Sequence, residues 1–274
     1  MKNITSLAIV ILLFFAQNTN AQSPWTREKG KAYVQLGVTG LFYNSLEFDG
    51  KTTDLNSDYT DITTQLYSEY GLTNKLEALL VLPYKFVGYQ ANVGNISESL
   101  SGIGNLTFGL KYKVYDNKWK VSLGTQYIAN SITKDVDKGL STGFNANTIL
   151  PYISTGTSSG KWYYFAAIGY GYMDNNYSDY LKINTEVGYN ITSKGHLILA
   201  FDTRNIVSKE SAYYNDNNQW ASYLDRQTYN ALGLKFNYEF KKDKFGANFA
   251  TFGAFGNNNA PLAPSFNLGI YTKL

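Results

Sequence analysis

Residues 101–127 read SGIGNLTFGLKYKVYDNKWKVSLGTQY, and their alternation decides the fold. Leu106, Phe108, Leu110, Tyr112 and Val114 are apolar, while Asn105, Thr107, Gly109, Lys111 and Lys113 between them are polar or small. A period of two puts the first set on one face of a strand and the second on the other. Asp116-Asn117-Lys118 is a tight polar turn. After it Val121, Leu123, Thr125 and Tyr127 alternate with Lys120, Ser122, Gly124 and Gln126. The segment is a hairpin with one apolar and one hydrated face. A soluble sheet could carry one such hairpin, but here the pattern recurs along the whole chain.

The N-terminus adds an address. Lys2, the apolar run Leu7–Ala16 and the small residue of Asn20-Ala21 form the pattern of a secretory signal peptide over residues 1–21. Removing it leaves 274 − 21 = 253 residues, enough for one closed all-β domain, 22–274. The net charge of +3 falls to +2 once Lys2 is gone, too weak to suggest a nucleic-acid partner. Cysteine is absent, which excludes disulfides, a thiol nucleophile and a lipidated N-terminal cysteine. There are 24 tyrosines, and tyrosine suits a surface meeting hydrocarbon on one side and water on the other. No later apolar run reaches the length of a membrane helix. An exported, tyrosine-rich, alternating chain is expected to be a transmembrane antiparallel up-and-down β-barrel in a Gram-negative outer membrane, in contact with its lipid.

Strands are expected near 31–44, 59–70, 75–89, 102–114, 119–130, 144–154, 161–173, 179–191, 196–207, 228–240, 244–255 and 265–274. That makes twelve, an even count joined alternately by short turns and longer loops, as in bacterial outer-membrane barrels. The short turns belong on the periplasmic side. Residues 22–30 read as a polar leader, and 45–58, 131–143 and 208–225 as long outer loops. Tyr70, Tyr112, Tyr152, Tyr189 and Tyr238, with Trp119 and Trp162, are expected to form the periplasmic aromatic girdle.

The hydrated parity assigns pore-lining residues: Glu69, Glu77, Lys85, Lys111, Lys182, Glu186, Asp202, Arg204, Lys235 and Glu239. Their mixed signs favour neither anions nor cations. Gly109, Gly124, Gly169, Gly171, Gly188, Gly233 and Gly269 share that parity, leaving room for solute or marking bends. Inward Tyr67, Tyr163, Phe165 and Phe252 could stack on an aromatic solute or fill space.

Catalysis finds little support. A phospholipase of the outer membrane also uses a twelve-stranded barrel, and such an enzyme is the alternative reading. It needs a serine, a base and an orienting amide near the outer leaflet. His196, the one histidine, stands beside a periplasmic turn in Gly195-His196-Leu197-Ile198 with no Ser-Asn nearby. Asp202 and Arg204 share a face and read as a lumen salt bridge. The Asp-rich stretches 54–61 and 135–137 lack calcium-loop spacing, and Gly102-Ile103-Gly104 precedes no helix. No metal, cofactor or catalytic residue is expected.

Two likenesses extend this. Asn267-Leu268-Gly269-Ile270-Tyr271-Thr272-Lys273-Leu274 resembles the C-terminal signal that outer-membrane barrels present to the barrel-assembly machinery, which makes that machinery an expected partner. Thr272 stands where an apolar residue is usual and Leu274 where Phe is commoner. Gly102 to Tyr112, with Leu82-Pro83-Tyr84 and its repeat Leu150-Pro151-Tyr152, resembles the outer-membrane transporter-like barrels named after the phenol meta-cleavage pathway, with Asn105 where Asp is common. The resemblance implies a small channel for passive passage of small-molecule solutes, including hydrophobic or aromatic compounds. Each proline also reads as a bulge or bend, since it removes a ladder donor.

Overall fold

The computed structural model describes residues 22–48, 50–207 and 222–274. The expected signal peptide, 1–21, and most of the expected loop 208–225 lie outside them. The first strands are β1 (Ala32–Phe48), β2 (Lys51–Gly71), β3 (Leu76–Ala91), β4 (Ser97–Ile103), β5 (Thr107–Asp116) and β6 (Trp119–Ile128). A small hairpin follows, β7 (Lys134–Asp135) and β8 (Leu140–Ser141). Then come β9 (Thr148–Ser159), β10 (Trp162–Met173), β11 (Tyr180–Asn190), β12 (Gly195–Ile206), β13 (Thr228–Lys241) and β14 (Phe245–Asn258). The last are β15 (Ala260–Pro261) and β16 (Ser265–Lys273).

Every neighbour in the wall is antiparallel, and β1 pairs with both β2 and β16, which closes the sheet. β4 and β5 both lie against β3 and act as one strand interrupted at 104–106. With β7, β8 and β15 outside the count, the wall has the expected twelve strands. Closure removes the free edges of an open sheet except along β4, which pairs with β3 alone, and so allows strands to span hydrocarbon.

The period of two works as the sequence requires. Phe108 and Leu110 are each 49% exposed on the outside of β5, while Lys111 between Leu110 and Tyr112 is 3% exposed. The same outward exposure recurs around the ring at Leu36, Phe86, Leu123, Ile153, Ile168, Leu199, Leu234, Phe249 and Phe266. An exposed apolar patch of that extent is a liability in water and a requirement in lipid.

The strand interruption has a local cause. Pro83 offers no N–H, and its carbonyl accepts from the Gly104 N–H at 3.0 Å. Ser131 Oγ then takes over the freed groups, donating to Gly104 O at 2.6 Å and accepting from the Leu106 N–H at 2.9 Å. The proline of Leu82-Pro83-Tyr84 therefore sits at a bulge, as expected.

Several boundaries differ from the sequence reading. The expected loop 45–58 is largely strand, because β1 and β2 stay paired to Phe48↔Lys51 beyond a register shift at Tyr43/Ser45. Its polar residues mislead because a ladder projecting into water has two hydrated faces. The expected turn 155–160 is also mostly strand. Only Gly160, at φ +59°, and Lys161 turn the chain there. Residues 144–147, expected as strand, belong to a loop that folds back inside, burying Leu140, Thr142 and Ala146.

In the girdle, Tyr70, Tyr112, Tyr238, Trp119 and Trp162 face outward and are exposed, and Tyr189 packs on Trp162 at 4.6 Å between ring centres. Tyr152 is a correction. It faces inward at 6% exposure, because Ile149 and Ile153 occupy the outer parity of β9. The inward glycines are corrected too. A Cβ at Gly124 would meet the Tyr152 ring at 2.3 Å, one at Gly171 the Tyr180 ring at 2.3 Å, and one at Gly188 the Tyr163 ring at 1.9 Å. These three leave space for a neighbouring strand's ring rather than for solute, the pairing of glycine with a covering aromatic known in sheets.

Candidate functional site in the barrel lumen

The interior is a ladder of ion pairs built from inward positions on different strands. Glu77 and Lys111 stand directly opposite in the β3–β5 register and meet at 2.7 Å, both almost fully buried. Lys85 reaches Asp61 at 3.0 Å, Lys182 pairs with Asp202, Lys235 with Glu186, and Lys273 with Glu239. Glu69 accepts from Arg27 Nη2 at 2.6 Å and from the Tyr67 hydroxyl at 2.6 Å. The Tyr163 hydroxyl adds a bond to Glu186 at 2.9 Å.

Nine of the ten residues assigned from parity thus lie in ion pairs. The tenth, Arg204, makes no bridge to Asp202, contrary to expectation. Its guanidinium lies 4.0 Å from the Tyr180 ring centre and 4.5 Å from that of Phe144, with Met173 Sδ 3.0 Å from Nη2. The large rings on either side leave its charge to their faces, and Lys182, one strand away, takes the carboxylate.

Sequence reasoning missed three partners. Asp61 and Lys273 sit on the hydrated parity and were legible there. Arg27 lies in the leader, which has no periodicity.

The leader is the larger surprise. Residues 22–28 run inside the barrel rather than trailing from it. Gln22 Oε1 accepts from Asn184 Nδ2 at 2.7 Å, the Pro24 carbonyl from Ser122 Oγ at 2.7 Å, and the Trp25 carbonyl from Lys111 Nζ at 2.8 Å. The Arg27 N–H donates to Glu77 Oε2 at 2.7 Å. The Trp25 ring meets Tyr163 and Phe165 edge-on at 5.8 and 6.3 Å. Pro24 lies 2.8 Å from where a Cβ would stand at Gly156, so glycine there admits the leader. Its bonds to the strands all run through wall side chains until Gly30 N bonds Gly71 O.

Among the described residues, two chambers lie in the interior. The inner, about 620 Å³, is lined by Trp25, Arg27, Tyr33, Phe165, Lys235 and Tyr271 among others. The outer, about 430 Å³, is lined by Asp61, Pro83, Lys85, Asn105, Tyr229 and Phe252 among others. Tyr223, from the described end of the loop expected at 208–225, covers the outer chamber. Its hydroxyl donates to Asp61 and contacts Lys85, and its ring packs on Phe144 at 5.3 Å. Burial and the neighbouring Asp61 carboxylate raise the Tyr223 hydroxyl well above its usual pKa. Asn105 pins the inward loop, donating to Ala129 O at 3.0 Å and Phe144 O at 2.9 Å and accepting from the Phe144 N–H at 2.8 Å.

His196 meets Asn190 Oδ1 at 2.6 Å through Nδ1. Among the described residues, no group of three or more His, Cys, Asp or Glu is arranged to hold a metal ion.

The family described as "Putative MetA-pathway of phenol degradation" matches residues 20–266. The chain belongs to that family. Solved structures share its fold: an outer membrane channel from Pseudomonas putida F1 superposes with a TM-score of 0.69 at 14% identity, covering 94% of this chain and 100% of the other. The NanC porin gives 0.52 at 11% identity, and the KdgM porin 0.51 at 5%, each covering 88% of this chain and 100% and 98% of theirs. No curated protein matches the chain significantly. Its closed wall and lipid-compatible exterior, with this shared fold, place the chain in the bacterial outer membrane.

Proposed function

We propose that the protein is a narrow outer-membrane channel through which small solutes pass passively, and that it is not an enzyme. The observation carrying this reading is the lumen: two chambers, about 430 and 620 Å³, lie in line along a polar interior. The ten inward residues Glu69, Glu77, Lys85, Lys111, Lys182, Glu186, Asp202, Arg204, Lys235 and Glu239 act as its lining. Because the carboxylates are paired with cations, the lining has little net charge to offer an ion, and selectivity rests on size and hydrogen bonding. Small uncharged solutes fit it best. Hydroxylated aromatics, the class named in the family's description, bring a flat ring for Tyr229 or Phe252 and a donor for the polar groups.

The leader 22–28 and the cover at Tyr223 are the two constrictions that passage must displace. Export by residues 1–21 and insertion through the assembly machinery at β16 complete the proposal. The phospholipase alternative is not favoured: Asn190 supplies an orienting amide, but His196 stands at the end of a short turn, away from the outer leaflet that such an enzyme works on.

The test is planar-bilayer conductance combined with vesicle swelling in phenol, small sugars and salts. Defined openings with weak ion preference and uptake of small neutral solutes support the channel. A silent barrel under all voltages, with and without the leader, defeats it.

A further inference from the structure

The two rims of the barrel carry opposite charge. The five short turns are 72–75, 117–118, 160–161, 191–194 and 242–244, and every one contains a lysine. Together they hold Lys75, Lys118, Lys161, Lys194, Lys242 and Lys244 against a single acid, Asp243. At the opposite rim, the described loops carry Asp137, Asp174, Asp179 and Asp225 against Lys138 and Arg226. A chain with little net charge is therefore polarised along its axis.

We infer that the short-turn rim is a binding collar for the anionic phosphate headgroups of phospholipids in the periplasmic leaflet. Three observations carry this. First, the charges are uncompensated: none of the six lysines makes an ion pair among the described residues, Lys194 Nζ donating instead to the Phe240 carbonyl at 3.3 Å, whereas Lys113 and Lys120 beside them are both taken by Asp116. Second, they stand at headgroup depth. Exposed Trp119, Trp162 and Tyr238 lie at the adjoining strand ends, where aromatic rings mark the membrane–water interface. Lys161 Nζ lies over the Tyr189 ring, 5.9 Å from its centre, so this ammonium stands at the level of the girdle. Third, the turns follow one another around the circumference of the closed ring. A protein partner docks on one side of a barrel, but lipid surrounds it. A cationic ring of this distribution matches an annulus of anionic headgroups.

The experiment uses the complete processed protein in vesicles of zwitterionic phosphatidylcholine containing a minor fraction of brominated phosphatidylglycerol or, in parallel, brominated phosphatidylcholine. Quenching of Trp119 and Trp162 reports which lipid occupies the rim. At low salt the anionic lipid is expected to be enriched about fivefold for each lysine in contact with a headgroup, with most of the preference lost in high salt. The variant K118Q/K161Q/K242Q/K244Q is expected to lose the preference while keeping its conductance and its heat-modifiable migration on gels. Equal quenching by both lipids at low salt overturns the inference. So does a preference that survives in the variant, or a variant defect seen only in binding to peptidoglycan or to an acidic protein. Conductance is read separately, so failure of the collar is distinct from failure of the channel.

Discussion

Replacing Trp25 by alanine isolates the hold of the leader on the barrel. The indole makes two edge-on contacts, at 5.8 Å to Tyr163 and 6.3 Å to Phe165. Such ring pairs contribute about 0.5–1.5 kcal/mol each beyond the area they bury, so the substitution weakens the seat by about 2 kcal/mol. That is about a thirtyfold shift toward the released state. The bonds at Gln22, Pro24 and Arg27 remain, so the wall is untouched and the barrel should stay folded. Single-channel recording should show Trp25→Ala opening far more often, with vesicle swelling by neutral solutes faster in proportion. Deleting residues 22–28 should give the limiting, continuously open form. An unchanged open probability in both proteins, with folding intact, would refute the leader as a constriction.

Lys111→Met leaves Glu77 buried without its 2.7 Å partner and should destabilise the barrel by about 3–5 kcal/mol in urea unfolding; the double variant with Glu77→Gln should recover most of that loss. Gly188→Ala puts a methyl 1.9 Å from the Tyr163 ring and should cost about 1–3 kcal/mol, with Tyr163→Leu relieving it in the same assay. Tyr223→Phe removes the donor to Asp61 and should speed hydrogen exchange in the described loop 222–227, as well as raising access to the outer chamber. Because the Tyr223 hydroxyl is raised, its contribution to the closed cover is complete below the unfolded value of 10.0 and is lost only as pH climbs toward the higher folded value. Access to the outer chamber should therefore be flat through neutral pH and increase only above about pH 10.

The wall was legible because each strand meets two solvents. Lipid outside and water inside force strict alternation, so Leu110 and Lys111 declare their faces without any knowledge of neighbours. The same contrast explains what was missed. Inside a hydrated lumen, polarity no longer separates buried from exposed. The leader around Trp25 and the loop 131–143 therefore read as ordinary solvent-facing segments, although Thr142 and Pro24 are almost wholly enclosed. Tyr152 was misplaced because tyrosine suits either face, and only the register of its neighbours Ile149 and Ile153 fixes the parity. The ion pairs follow the same rule: Glu77 and Lys111 were both assigned inward, but their meeting depends on strand register, which a single sequence does not print.

A covalent tether between leader and wall tests the account most directly. The chain has no cysteine, so Pro24→Cys with Ser122→Cys introduces one unique pair where Ser122 Oγ now meets the Pro24 carbonyl at 2.7 Å. Oxidation, or a short thiol-bridging reagent, should join the two sites in the folded, membrane-embedded protein and hold the channel shut until reduction reopens it. Thiols that stay separate and freely labelled from the periplasmic side would contradict a leader seated within the barrel.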